Sequence, residues 1–228
     1  APLDVCAGEE ITFANTTSGT NGLLWAFGDG ASSTLSAPVH AYGSSGSYTV
    51  LLTATDALSG CPASESMQVV VNATPVAAFT ADPDNGCIAL EVQFQNNSTN
   101  AQFHQWDLGD GNTSGAFAPV HTYTDAGTYV VTLVAENLNG CTDTLSIPVV
   151  AHPLPTSAFS LSQEESCYVP VTIQTSNTTT GAVSYTWSFG EGTTSILNQP
   201  SITYDAVGTY VIGLTATNQY GCEDQHFE

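Results

Sequence analysis

Six cysteines fall two to each third of the chain: Cys6 and Cys61, Cys87 and Cys141, Cys167 and Cys222, which are 55, 54 and 55 residues apart. An even count in such register argues for disulfides. Zinc is disfavoured, because no C-x₂-C pair occurs and the histidines are out of phase with the cysteines. Pairing within each third is the simplest reading. Each bridge would then close a loop of about 55 residues and stabilise by about 4 kcal/mol on the chain-entropy account. A second pairing stays open. In an alternating sandwich the first cysteine sits near the first corner and the second near the last, at opposite ends unless the chain bends before its second strand. Stacked units would then join Cys6 to Cys141 and Cys87 to Cys222, leaving Cys61 and Cys167 for adjacent subunits.

The remaining reactive side chains support little chemistry. Asp29, Asp110 and Glu191 each sit between two glycines. A carboxylate there either binds calcium or accepts backbone N–H bonds and holds the turn. Asp107 is replaced by Ala26 and Ser188 in the other thirds, so no shared second ligand is visible, and turn-holding is the favoured reading. His40 and His121 share one position where the last third has Ile202, which points to packing against apolar atoms. His104, His152 and His226 have no counterparts in phase. Asn15, Asn96 and Asn177 share one N-x-[ST] position, and Asn72, Asn97 and Asn112 add three more matches. These are candidate glycosylation sites, although Asn and Thr between strands are also ordinary turn residues. No G-x-S-x-G or H-E-x-x-H motif is present, so no catalytic residue is assigned and the expectation is a non-enzyme without a cofactor, calcium aside.

The 228 residues include 21 Asp plus Glu and no Lys or Arg, a formal charge of −21. Without cations there are no ordinary salt bridges and no phosphate clamps. Nucleic-acid binding and attachment to an anionic membrane surface are excluded on this ground. Schiff-base lysines and arginine fingers are unavailable. Hydrophobic residues make up 42%, enough to bury real cores. No apolar run is long enough for a membrane span.

Those residues must be positioned by a repeat. Trp25, Trp106 and Trp187 are spaced by 81 residues, as are Tyr48, Tyr129 and Tyr210, Tyr42, Tyr123 and Tyr204, and Pro38, Pro119 and Pro200. Tyr129, Val131, Leu133 and Ala135 alternate with Val130, Thr132 and Val134, the period-two pattern of a half-buried strand. Tyr48 to Ala54 and Tyr210 to Ala216 repeat it. Regular Gly and Asn-Gly turns between short strands, without helical periodicity, predict an all-β chain of three tandem sandwiches. The expected units are 1–73, 74–153 and 154–228, the first lacking its opening strand and the last truncated in its closing strand. Short proline-stiffened joints, Asn72–Pro75 and His152–Pro155, predict a semi-rigid array. Trp25, Trp106 and Trp187 are expected in the cores rather than as exposed sugar platforms.

WAFGDG at Trp25–Gly30, WDLGDG at Trp106–Gly111 and WSFGEG at Trp187–Gly192 resemble the PKD domain signature. A P-x-x-x-Y element and G-x-Y-x-V-x-L follow in each unit, at Gly46–Leu52 and Gly127–Leu133, with Ile212 for Val in Gly208–Leu214. The resemblance implies Ig-like sandwiches in an extracellular stalk, adhesin or filament, or in an accessory region of a secreted hydrolase. The Asn-Gly-Cys turn is similar to that of surface arrays of Bacteroidota-type bacteria, and Asp143-Thr144-Leu145 resembles their O-glycosylation pattern, making Thr144 a further candidate. The expected partners are copies of the chain or neighbouring repeats, with strand donation completing the edge units of a polymer and surface glycans as an alternative; no nucleic acid or membrane insertion is expected.

Overall fold

The computed structural model describes residues 3–228. Each 81-residue repeat folds around its own core, and the described residues form strands and turns without any helix. In the middle unit, Leu90–Asn96 alternates buried and exposed along its whole length. It pairs on one side with Val120–Tyr123 and on the other with Phe79–Asp82, making a three-stranded sheet. The opposing sheet runs Thr113–Ser114, Phe103–Asp107, Gly127–Glu136, Thr142–His152, Asn85–Cys87. Its central Gly127–Glu136 strand sends Val131, Leu133 and Ala135 into the core, where each is fully buried. Val92 and Phe94 meet them from across the sandwich, and Trp106 packs beside them from the neighbouring strand of the same sheet. Phe79 lies edge-on to Trp106 with centroids 4.9 Å apart. The first unit repeats the larger sheet in the order Leu3–Cys6, Pro62–Asn72, Gly46–Asp56, Thr20–Ala26, Ser32–Ser33, with Glu10–Thr12 paired to Val39–Ala41 opposite.

A set of buried hydrogen bonds recurs in every unit. The Tyr42, Tyr123 and Tyr204 hydroxyls donate to the carbonyls of Phe27, Leu108 and Phe189 at 2.9, 2.8 and 2.9 Å. The Trp25, Trp106 and Trp187 indoles donate to the carbonyls of Leu35, Ala116 and Leu197 at 3.1, 2.9 and 2.9 Å. These bonds tie the core aromatics to the glycine turn and to the loop after it, so a polar group enters each core without losing its partner. Burial, followed by the charge of Asp29, pushes the Tyr42 phenol up to about 12, so it remains a donor at any ordinary pH.

The glycine that opens each turn is fixed by two constraints. Gly28 and Gly109 have φ of 86° and 82°, in the left-handed region that L side chains avoid. A Cβ at Gly28 would lie 2.7 Å from the Thr49 carbonyl oxygen, and one at Gly109 would lie 2.8 Å from the Val130 backbone. The turn therefore rests directly on the central strand.

In the last unit the strand expected at Tyr210 to Ala216 forms only over Gly213–Thr217. The ladder to Glu223–Phe227 ends with Ile212 and Glu228 exchanging bonds of 2.9 Å. Residues before Ile212 have no cross-strand partner there, whereas Gly127, Thr128 and Tyr129 pair with Ala151, Val150 and Val149. Ile212 itself stays buried.

Removing the buried hydroxyl in Tyr123→Phe leaves the Leu108 carbonyl unpaired inside the core. We expect a loss of about 1–2 kcal/mol, read as a lower melting temperature of the middle unit. Tyr129→Phe, whose hydroxyl lies near the surface, should cost about half of that or less.

Candidate functional sites at the turns and joints

The acidic turns are built around a carboxylate with both oxygens engaged. Asp29 accepts the Ala31 amide on Oδ1 at 3.0 Å and contacts His40 Nε2 through Oδ2 at 2.7 Å. Asp110 does the same with the Asn112 amide at 3.0 Å and His121 Nε2 at 2.7 Å, and Asn112 Nδ2 adds a bond of 2.9 Å. His40 stacks on Phe27 at 4.1 Å and meets the edge of the Tyr42 ring at 4.7 Å. Packing was expected for these histidines; the bond to the turn carboxylate was not. Glu191 stands in the third turn opposite Ile202, so that unit has no such pair. The signal was present in the sequence: Asp goes with His twice at the same separation, and Glu goes with Ile. Among the described residues, no group of three or more His, Cys, Asp or Glu converges on a metal-sized space. The arrangement braces a turn.

Burial tends to raise the Asp110 carboxyl, but the Asn112 side chain and amide and then His121 outweigh it, and the net shift is below the ordinary 3.8. For Asp29 the same contest, with the Ala31 amide and His40, also ends below 3.8.

The candidate glycosylation positions divide. Asn15, Asn96 and Asn177 each accept an amide two residues on, from Thr17, Ser98 and Thr179, at 2.9, 2.9 and 3.0 Å. These are turn bonds. Asn96 is only 5% exposed, and its Nδ2 is buried without a partner, so a glycan cannot reach it; that candidate is withdrawn. Asn15 and Asn177 are half-buried, and Thr144 is exposed on the Thr142–His152 strand. Trp25, Trp106 and Trp187 lie in the cores.

At the joints, the bridges run between neighbours. Cys6 bonds Cys141 and Cys87 bonds Cys222, both across 135 residues, with Cα–Cα distances of 5.7 and 5.6 Å. Cys61 and Cys167 are free and exposed. This corrects the within-unit pairing. Cys6 pairs in parallel with Asn72 at the far end of Pro62–Asn72, while Cys61 immediately precedes Pro62. The length of that 11-residue strand, roughly 33 Å at 3.3 Å per residue, separates the two. A disulfide needs Cα atoms within about 7 Å. Cys87 opposite His152 repeats the geometry.

Side chains that the sequence reading missed hold the linkers. Asn137 Nδ2 donates to the Ala73 carbonyl and Asn218 Nδ2 to the Pro153 carbonyl, each at 2.7 Å. Asp143 accepts the Ala77 amide at 2.8 Å and Asp224 the Ser157 amide at 2.7 Å. His152 stacks on Tyr220 of the next unit at 3.9 Å. The string N-x-x-G-C-x-D, at Asn137–Asp143 and Asn218–Asp224, was the available signal.

The family profile described as the PKD domain matches residues 1–71, 72–151 and 150–228. The chain belongs to the PKD domain family. A microbial collagenase of Vibrio alginolyticus is 45% identical to it over 71 residues, 29% of this chain and 9% of the collagenase. Collagenase ColA of Bacillus cereus is 40% identical over 88 residues, 36% of this chain and 9% of ColA. The crystal structure of the PKD1 domain of the Vibrio cholerae metalloprotease PrtV is 35% identical, covers 35% of this chain and 98% of that one, and has a TM-score of 0.31. The PKD chain thus spans less than a tenth of the length of the two collagenases.

A carboxyl held below its ordinary value stabilises the fold above that value and loses the contribution as pH falls through the folded one. The turns of the first two PKD units should therefore weaken below about pH 4. Asp110→Asn should lower the melting temperature at neutral pH, by about 1 kcal/mol in stability, and flatten the acid limb of the pH–stability curve.

Proposed function

We propose that this chain is a non-catalytic structural repeat region of an extracellular filament, stalk or adhesin. It works through head-to-tail stacking of disulfide-stapled PKD sandwiches, as in a Bacteroidota-type surface array. The observation that carries this reading is the placement of both bridges between units. A bridge inside a sandwich stabilises that sandwich alone; one across a joint fixes the direction in which the next unit leaves. Each closes a loop of 135 residues, worth about 5 kcal/mol against the unfolded chain on the entropic account. Disulfides endure in oxidising surroundings, which supports an extracellular setting. The acidic and histidine side chains support a scaffold as well, since they brace turns and linkers.

The collagenase and metalloprotease relatives favour a second reading, a spacer or carbohydrate-binding module of a secreted hydrolase. That reading predicts binding to a glycan array.

Negative-stain images of the oxidised chain decide between them. Three units of about 30 Å should give straight particles of roughly 100 Å with a narrow spread of length. Reduction and alkylation should broaden the spread by freeing the joints. Flexible particles with both bridges intact, or glycan binding by the isolated chain, would overturn the structural reading.

A further inference from the structure

A groove of about 480 Å³ lies at the outer edge of the larger sheet in the middle unit. Trp106 is buried in the core, so Phe103 and Gln105 on the same strand project from the opposite, solvent face. There they stand in register with Glu136 and Val134 of the central strand. The other units differ at all four places. Phe103 is replaced by Gly22 and Ser184, Gln105 by Leu24 and Thr186, Val134 by Thr53 and Thr215, and Glu136 by Thr55 and Thr217. Gly115 opens the groove. It is not one of the left-handed glycines, and a Cβ there would meet nothing nearer than the His104 carbonyl oxygen at 4.0 Å. Neither conformation nor packing requires glycine, and Thr34 and Ile196 hold this place in the other units. The three cores share one pattern, and this spot departs from it without any gain in packing.

The floor of the groove is unpaired backbone. The Leu108 amide donates to the Asn112 carbonyl at 2.9 Å, across to the short strand Thr113–Ser114. Backbone groups alternate in direction along an antiparallel strand, so those of Trp106 and His104 face the same side. The short strand ends at Ser114, opposite Trp106. The amide and carbonyl of His104 therefore have no backbone partner on that side among the described residues. Glu136 is exposed and belongs to none of the three ion pairs of the described residues. Phe103, beside it, is 55% exposed.

We propose that an extended peptide segment of another protein adds as a strand at Phe103–Gln105, exchanging backbone bonds with His104 and placing a Lys or Arg over Phe103 against Glu136. Main-chain bonds to an open sheet edge supply affinity, and alternate side chains supply specificity. Strands lie about 4.8 Å apart, so the strand of Glu136, one further in, is roughly 10 Å from the added backbone. A Lys or Arg spans that distance with its stem along the Phe103 ring and its charge at the carboxylate. The 228 residues contain no Lys or Arg, so no unit of this array supplies that side chain, and the charge of −21 attracts a basic partner. The segment comes from outside these three units. Such a surface can sit on a stalk or on a spacer module alike, so it stands apart from the choice between them.

The test selects short linear peptides from a randomised displayed library on the oxidised 228-residue protein and maps their site by amide resonances. We expect the selected peptides to be rich in β-branched residues and to carry a Lys or Arg. They should move the resonances of Phe103, His104, Gln105 and Gly115 and slow hydrogen exchange at the His104 amide. Gly115→Ile and Glu136→Thr borrow the residues of the third unit, Ile196 and Thr217, so both should keep the fold and the melting temperature. Gly115→Ile should weaken binding about tenfold or more by filling the groove. Glu136→Thr should weaken it about fivefold and remove most of its salt dependence. A library that yields no binder, no enrichment of Lys or Arg, undiminished affinity in both variants, or binding that leaves His104 exchange unchanged would overturn the proposal. So would movement of the same resonances by neutral oligosaccharides, or by concentrating the protein alone, which would assign the groove to a sugar or to a second copy.

Discussion

The closing strand of each complete unit is longer than any disulfide can span. Cys6 lies opposite Asn72 at one end of Pro62–Asn72, and Cys61 lies at the other. Two cysteines so placed can reach only the units above and below. The parallel pairing of Leu3–Cys6 with this strand sets the constraint, because it carries the first cysteine to the end where the chain leaves for the next unit. From that follow the direction of the bridges and the position of the linker between the Asn and Asp grips.

A chain without lysine or arginine has few other ways to hold a joint. Ion pairs are confined to histidine: His40 with Asp29, His121 with Asp110, and His226 with Glu228 among the described residues. The net charge of −21 is shared among the three units, all of the same sign, so they repel one another. A covalent staple is indifferent to that repulsion and to salt, whereas a surface salt bridge is worth little and is screened. Carboxylates are used instead as acceptors of backbone amides, at Asp143 and Asp224 on the linkers and at Asp29 and Asp110 in the turns. Within each unit, stability rests on the aromatic core and its tyrosine and tryptophan bonds, which are uncharged.

Much of the fold was legible because the repeat prints it three times. The alternation from Tyr129 to Ala135 located the central strand, and the recurrence of tryptophan placed the core. In the last unit the same pattern is paired only from Ile212 on, where the ladder reaches Glu228. The pairing of the cysteines stayed open because sequence spacing puts Cys6 and Cys61 close along the chain and says nothing of the strand that parts them. The glycosylation candidate at Asn96 failed because a three-residue motif carries no information on burial. Other signals were present and unread. Asp29 with His40 and Asp110 with His121, set against Glu191 with Ile202, is a correlated change between repeats. Comparing Asn137–Asp143 with Asn218–Asp224 picks out the two linker grips.

The most direct test of unit-to-unit stapling is to locate the bonds chemically. Trypsin has no site in the chain, so the unreduced protein should be cut with a protease specific for acidic or aromatic residues and the linked peptides identified by mass spectrometry. The account requires the Cys6 peptide to be joined to the Cys141 peptide and the Cys87 peptide to the Cys222 peptide. Cys6 joined to Cys61, and Cys87 joined to Cys141, would contradict it.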